Sequence, residues 1–104
     1  MITEVVTFKL PQGMTRDQLV ANFRQTAPKW HANPDLIRKN YLYDSVNNIG
    51  GGVYLWKNMD GPRLWHDDAF CKKVIEVYGS EPTLHYYETP IVVDNEAGKI
   101  TDEQ

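Results

Sequence analysis

Residues 36–56 read LIRKNYLYDSVNNIGGGVYLW, and this stretch decides the fold. Its first nine residues are rich in branched and aromatic side chains, which suit a pleated surface. In the strand they predict, Ile37, Lys39, Tyr41 and Tyr43 share one face, while Leu36, Arg38, Asn40 and Leu42 share the other. Ser45–Asn48 is a polar turn, and Val53–Trp56 forms a second strand. Two strands this close pair as an antiparallel hairpin. Gly50, Gly51 and Gly52 lead into the second strand and predict a bulge or the close approach of another backbone.

Upstream, residues 2–10 (ITEVVTFKL) form a first strand, ended by Pro11-Gln12-Gly13. A helix starts at Thr15. That threonine can cap free N–H groups, Gln18 can return the bond, and Met14 and Leu19 occupy the hydrophobic-staple positions. Leu19, Phe23, Ala27 and Trp30 recur on one helical face. Pro28 predicts a kink or a loosened last turn. Downstream, a second helix runs from Pro62 to Tyr78, with Pro62 suited to the first helical position and Gly79 to its end. Its inner stripe is His66, Phe70, Val74 and Val77. Asp67 or Asp68 offers a second cap, so a break near His66 is expected. Residues 83–93 (TLHYYETPIVV) make a last strand, interrupted by Pro90. The order is β-α-β-β-α-β. Right-handed crossovers turn it into an α+β, ferredoxin-like sheet with both helices on one face. Residues 1–95 form one domain, and residues 96–104 a polar, mobile tail.

The 104 residues carry a net charge of -3. The acidic excess lies after Val93, where Asp94, Glu96, Asp102 and Glu103 face Lys99 alone, so the preceding body is balanced. A balanced body offers little to a phosphate backbone or an anionic membrane, and no nucleic acid or membrane partner is expected. Cys71 is the single cysteine, which rules out an intrachain disulfide and a cysteine-based zinc site. It reads as a small buried hydrophobe. The opening MITEVVTFKL has no basic segment followed by an apolar run, and no stretch approaches 18 apolar residues. A cytoplasmic protein is the expectation.

Two helices shield one face of a four-stranded sheet. Here both faces are apolar: Val53 and Leu55 oppose Tyr54 and Trp56, and Leu84 and Tyr86 oppose Tyr87 and Ile91. Sheet-to-sheet packing in a homodimer is the economical answer.

Several side chains can carry chemistry. His66 shares a helical face with Phe70 and Val74, so it looks toward the sheet, where a neutral imidazole can act as acid, base or iron ligand. The plain alternative is a partly exposed histidine at a helix start, or one satisfied by Asp67 or a backbone group. Trp30 and Trp65 sit near helix ends. With Trp56 and Tyr54 they supply flat area on which a flat apolar ligand can stack. Glu88 shares a face with Leu84 and Tyr86; in an apolar cavity it would accept a proton, and otherwise it would pair with Arg38 or Lys39. Tyr41, Tyr43 and Tyr86 can orient a phenol or ketone. His31, His66 and His85 lack metal-ligand spacing. The glycine triplet lacks the lysine of a phosphate loop and precedes a strand.

On the ITEVVTF opening, the APKW end of the first helix, PDLIRKNYLYD, GGGVYLW and VYGSEPTLHYYETPIVVDN, in that order, residues 2–95 resemble the YdhR-like monooxygenase group. This group belongs to the dimeric α-β barrel superfamily, with the antibiotic biosynthesis monooxygenases. The resemblance implies a homodimer with packed sheets and outer helices, and a pocket between helices and sheet. It implies oxidation of an apolar aromatic or polycyclic molecule by O₂, with no cofactor. In that setting His66 and Glu88 would be catalytic, and Trp30, Tyr41, Tyr54, Trp65, Phe70 and Tyr86 would bind substrate. Some relatives bind haem through a histidine on the second helix, a position that His66 matches. Alternatives are a non-oxidative cyclase or isomerase in the same pocket, a haem-binding protein, or a non-catalytic ligand-binding homodimer.

Overall fold

Thr15 caps the first helix reciprocally: its hydroxyl accepts from the Gln18 N–H at 3.2 Å, and its own N–H donates to the Gln18 side chain at 3.0 Å. The computed structural model describes residues 1–102, and the capped helix is α1 (Arg16–His31). Strand β1 (Ile2–Lys9) precedes it. Strands β2 (Leu36–Asp44) and β3 (Ile49–Trp56) follow as the expected hairpin. Pro28 is held within the last turns of α1, where the Ala32 N–H reaches the Pro28 carbonyl at 3.1 Å.

The second helical region is broken where the Asp pair foreshadowed it. Helix α2 (Asp60–Trp65) ends at His66, and α3 (Asp68–Tyr78) begins with Asp67 accepting from the Phe70 N–H. Gly79 closes α3 with φ of 77°, a conformation that costs glycine nothing. Strand β4 (Thr83–Glu88) then joins the sheet.

The four strands pair in the order β2-β3-β1-β4, with every neighbour antiparallel. Glu4, Val6 and Phe8 of β1, Tyr54 and Trp56 of β3, and Leu84 and Tyr86 of β4 share the helix side of the sheet. There Val6, Phe8, Leu10, Tyr54 and Trp56 meet Leu19, Trp30 and Val74 in one buried core. The other side carries Val5, Val53 and Leu55 at its centre, bordered by Thr3, Thr7, Asn40 and His85.

Three expectations need correction. Strand β3 starts at Ile49, so the glycines lie inside it, and the irregularity falls between Leu36 and Arg38 of β2. That shift turns Leu36 onto the face of Lys39 and Tyr41, opposite Trp56, and leaves Ile37 exposed. The close approach at the glycines is present: a Cβ on Gly51 would lie 1.9 Å from the Val6 carbonyl oxygen. Residues 83–93 are two strands, not one. Pro90 cannot donate to the ladder, and beyond it β5 (Ile91–Asp94) leaves the main sheet. It pairs with β6 (Lys99–Asp102), so residues 99–102 of the segment expected to be a polar, mobile tail close a second, two-stranded sheet, while residues 103–104 lie outside the described residues. Among the described residues no helix is long and apolar enough to cross a membrane.

Candidate functional site

Between α1, α3 and the sheet lies a cavity of about 310 Å³, at the small end of the range for ligand sites. Its floor is the glycine stretch of β3. Gly51 and Gly52 contribute no side chains, and a Cβ on Gly52 would sit 3.0 Å from Lys39 Cε and 3.1 Å from Tyr54 Cε1. The walls are rings: Phe23 and Trp30 from α1, Tyr41 from β2, Tyr54 from β3, and Phe70 and Tyr78 from α3. Phe23 stacks on Tyr41 at 4.4 Å, and Trp30 meets Tyr54 edge-on at 5.3 Å. The Tyr41 hydroxyl is tied to Thr26 at 2.6 Å. Burial raises the pKa of Tyr41, with the Thr26 bond opposing, and that of Tyr78; Tyr54 is held well above the usual phenol range, first by burial and then by Glu4, so all three wall tyrosines stay neutral.

Lys39 projects into this enclosure. Its Nζ lies 3.8 Å from the centroid of the Tyr41 ring, 4.4 Å from that of Tyr54 and 4.8 Å from that of Trp30. Lys29 Nζ also sits 4.8 Å from Trp30. No Asp or Glu lines the cavity, and among the described residues no carboxylate forms an ion pair with Lys39. Burial, reinforced by the Lys29 charge and opposed by Glu4, lowers the Lys39 pKa to about 7. The amine therefore has a large uncharged fraction at neutral pH.

Behind Tyr54 is a buried polar cluster. Glu4 Oε1 accepts from Trp56 Nε1 at 2.9 Å and is 2.7 Å from His66 Nδ1. Glu4 is fully buried and His66 nearly so. Because Oε1 already accepts from Trp56, the simplest assignment has His66 Nδ1–H donating as well. Among the described residues His66 Nε2 has no hydrogen-bond partner, while the Glu4 carboxylate also bears on the Tyr86 hydroxyl. The imidazole stacks on Phe70 at 4.0 Å and meets Tyr54, Trp30 and Trp56 edge-on at 4.5, 5.3 and 5.5 Å.

Of the residues singled out from the sequence, the structure brings Trp30, Tyr41, Tyr54 and Phe70 together on the cavity wall. His66 faces the sheet as expected, yet it lies behind that wall, and its partner is Glu4 of β1 rather than Asp67. Tyr86 stands opposite Glu4 in the β1–β4 ladder and is part-exposed. Burial and the neighbouring Glu4 push its pKa up to about 12. Two residues lie elsewhere. Trp65 is 40% exposed and donates to Asp35 at 2.9 Å, pinning α2 to the start of β2. Glu88 is exposed and, opposite Ile2 at the end of the β1–β4 ladder, borders a separate hollow with Met1, Ile2, Asn58, Met59 and Pro90. Lys39 and Glu4 are the additions. Lys39 carried one signal, its shared strand face with Tyr41 and Tyr43. Glu4 carried only the oddity of a charge between Ile2 and Val6 on the inner face of β1.

Among the described residues no three His, Cys, Asp or Glu side chains gather in a way that could hold a metal ion. A scan against protein-family models finds no match to this chain, and a search of curated proteins finds none.

Proposed function

We propose that the chain binds a flat, electron-rich aromatic molecule in the ring-walled cavity and removes a proton from it with Lys39, as the first step of cofactor-independent oxygenation. The observation that carries this reading is the Lys39 amine, enclosed by three ring faces with its pKa lowered to about 7. A general base works best with a pKa near the operating pH, which an ordinary lysine lacks. In the step proposed, the phenolic O–H proton passes to Lys39 Nζ. The resulting anion gives an electron to O₂, and a carbon–oxygen bond then forms between the two. Tyr54 and Trp30 hold the ring and keep water away from the anion. Glu4 and His66 act as positioning residues, because they fix Trp56 and back the Tyr54 ring. The YdhR-like resemblance points to the same chemistry. His66, through which haem would bind on that resemblance, is boxed in by four rings, and this favours the cofactor-free reading.

The same reading takes the molecule as a ferredoxin-like domain that pairs as a homodimer through its uncovered sheet face. Its supports are the strand order β2-β3-β1-β4, the apolar centre Val5, Val53 and Leu55, and the exposed Ile91, Val93 and Ile100 on the β5–β6 hairpin. An isolated two-stranded hairpin with an apolar face is marginal in water.

An oxygen electrode tests the enzymatic reading with a panel of polycyclic phenols. Wild type consumes O₂ with at least one of them, and Lys39→Met is slower by about 10²–10⁴-fold, the usual contribution of a positioned base. Product formation without O₂ uptake would favour base-catalysed isomerisation or cyclisation. No turnover of any kind would leave a binding protein.

A further inference from the structure

A half-buried primary amine among aromatic walls can do more than accept a proton. The uncharged amine is a nucleophile, and lysines are activated for this role by an apolar enclosure or a neighbouring cation. Lys39 has both: rings on three sides, and Lys29, which also lies 4.8 Å from the Trp30 ring and whose charge bears on Lys39. Among the described residues no acid lines the space, so no ion pair blocks its approach to the cavity.

We infer that Lys39 forms an imine with an aryl aldehyde or aryl ketone held in this cavity. Nζ adds to the carbonyl carbon, forming the C–N bond. The carbonyl oxygen takes up two protons and leaves as water, and the product is a protonated imine. No oxidant or reductant is consumed, and hydrolysis restores the amine and the carbonyl compound. The positive charge develops on the nitrogen, where the faces of Tyr41, Tyr54 and Trp30 converge within 3.8–4.8 Å. Ring faces attract a desolvated cation, so the same walls that seat the aryl group stabilise the iminium. The cation in turn acidifies the hydrogens on the carbon next to it, so an aryl ketone bound this way would exchange its α-hydrogens with solvent. The charged and titratable groups bearing on Lys39 come from four elements: Lys29 of α1, Glu4 of β1, Tyr41 of β2 and Tyr54 of β3; Lys73 of α3 lines the same cavity. The lowered pKa of about 7 supplies the uncharged amine that addition needs.

This inference rests on the cavity being the ligand site, and one experiment separates the two. The full chain is incubated at pH 7 with 2-naphthaldehyde and sodium cyanoborohydride, which traps the imine as a stable amine, and labelled lysines are mapped by mass spectrometry. Lys39 acquires the adduct about a hundredfold faster than Lys57, Lys72 or Lys99, because an ordinary lysine near pKa 10.4 is almost wholly protonated at that pH. Naphthalene, which has no carbonyl, occupies the cavity, quenches Trp30 fluorescence and slows the labelling of Lys39 alone. Lys39→Met loses the fast-labelled site while the surface lysines react as before. Labelling spread evenly over the lysines, with naphthalene still quenching, overturns the imine chemistry and leaves the binding site standing. Even labelling with no response to naphthalene overturns both. Mapping of wild type decides between these outcomes whether or not Lys39→Met folds.

Discussion

Glu4, fully buried, and Lys39, half-buried, set the character of this molecule, and they behave differently. Glu4 is spoken for, since it accepts from both Trp56 and His66 with no exposure to solvent. Glu4→Ala strands two buried N–H groups, each costing about 1–3 kcal/mol. Urea unfolding should show a loss of about 3 kcal/mol, with Glu4→Gln losing less because its amide oxygen still accepts. Lys39 lies against ring faces, with no carboxylate paired to it among the described residues. Its folded-state pKa of about 7 lies below its ordinary value of 10.5. Between those limits the folded chain has released a proton that the unfolded chain still holds. Unfolding then takes up a proton, and stability rises with pH by at most about 1.4 kcal/mol per unit. Below pH 7 this slope vanishes, and Lys39→Met should lack it throughout in unfolding measurements from pH 6 to 10. The inward aim of His66 was legible from its spacing to Phe70 and Val74. Its partner was not, because Glu4 lies far away in sequence and only the antiparallel packing of β1 beneath the α2–α3 break brings them together.

At the scale of elements, local chemistry was read well and long-range pairing poorly. The α1 capping box, the β2–β3 hairpin and the break after α2 each depend on residues within a few positions. The β2 irregularity and the departure of β5 from the main sheet depend on partners across the fold, and the four residues of β6 are too short for a periodic signal. Glycines show the same division. A Cβ on Gly61 in α2 would lie 2.3 Å from the Trp56 ring, which is fully buried and cannot yield. Gly61→Ala should cost about 1–3 kcal/mol in thermal or urea unfolding, the usual penalty of an overpacked core. Gly52→Val acts on the site instead: it fills the cavity floor against Lys39 and Tyr54 and should abolish naphthalene quenching while the circular dichroism of the fold is kept.

For the whole molecule, the central question is what meets the sheet face that the helices leave bare. Val5 and Val53, half-buried, and Leu55, already buried, occupy its middle, and Ile91, Val93 and Ile100 stand 56, 64 and 68% exposed on the β5–β6 hairpin. Sedimentation equilibrium at micromolar concentration should give twice the chain mass of 12.0 kDa, and Val53→Lys, which places a charge at the centre of that face, should return the monomer. The sequence displayed this two-sided apolar sheet plainly. It concealed the cavity, because empty space depends on glycines of one strand lying beneath lysine and tyrosine of the next, and that is a matter of register.

The central claim is that Lys39, in a ring-walled cavity, is about half uncharged at neutral pH. Carbon-13 NMR of lysine labelled at Cε, with the Lys39 signal assigned by its loss in Lys39→Met, reads that state directly. The account predicts a titration midpoint of about 7 that shifts when naphthalene binds. A midpoint at 10.5, unmoved by the ligand, would contradict it.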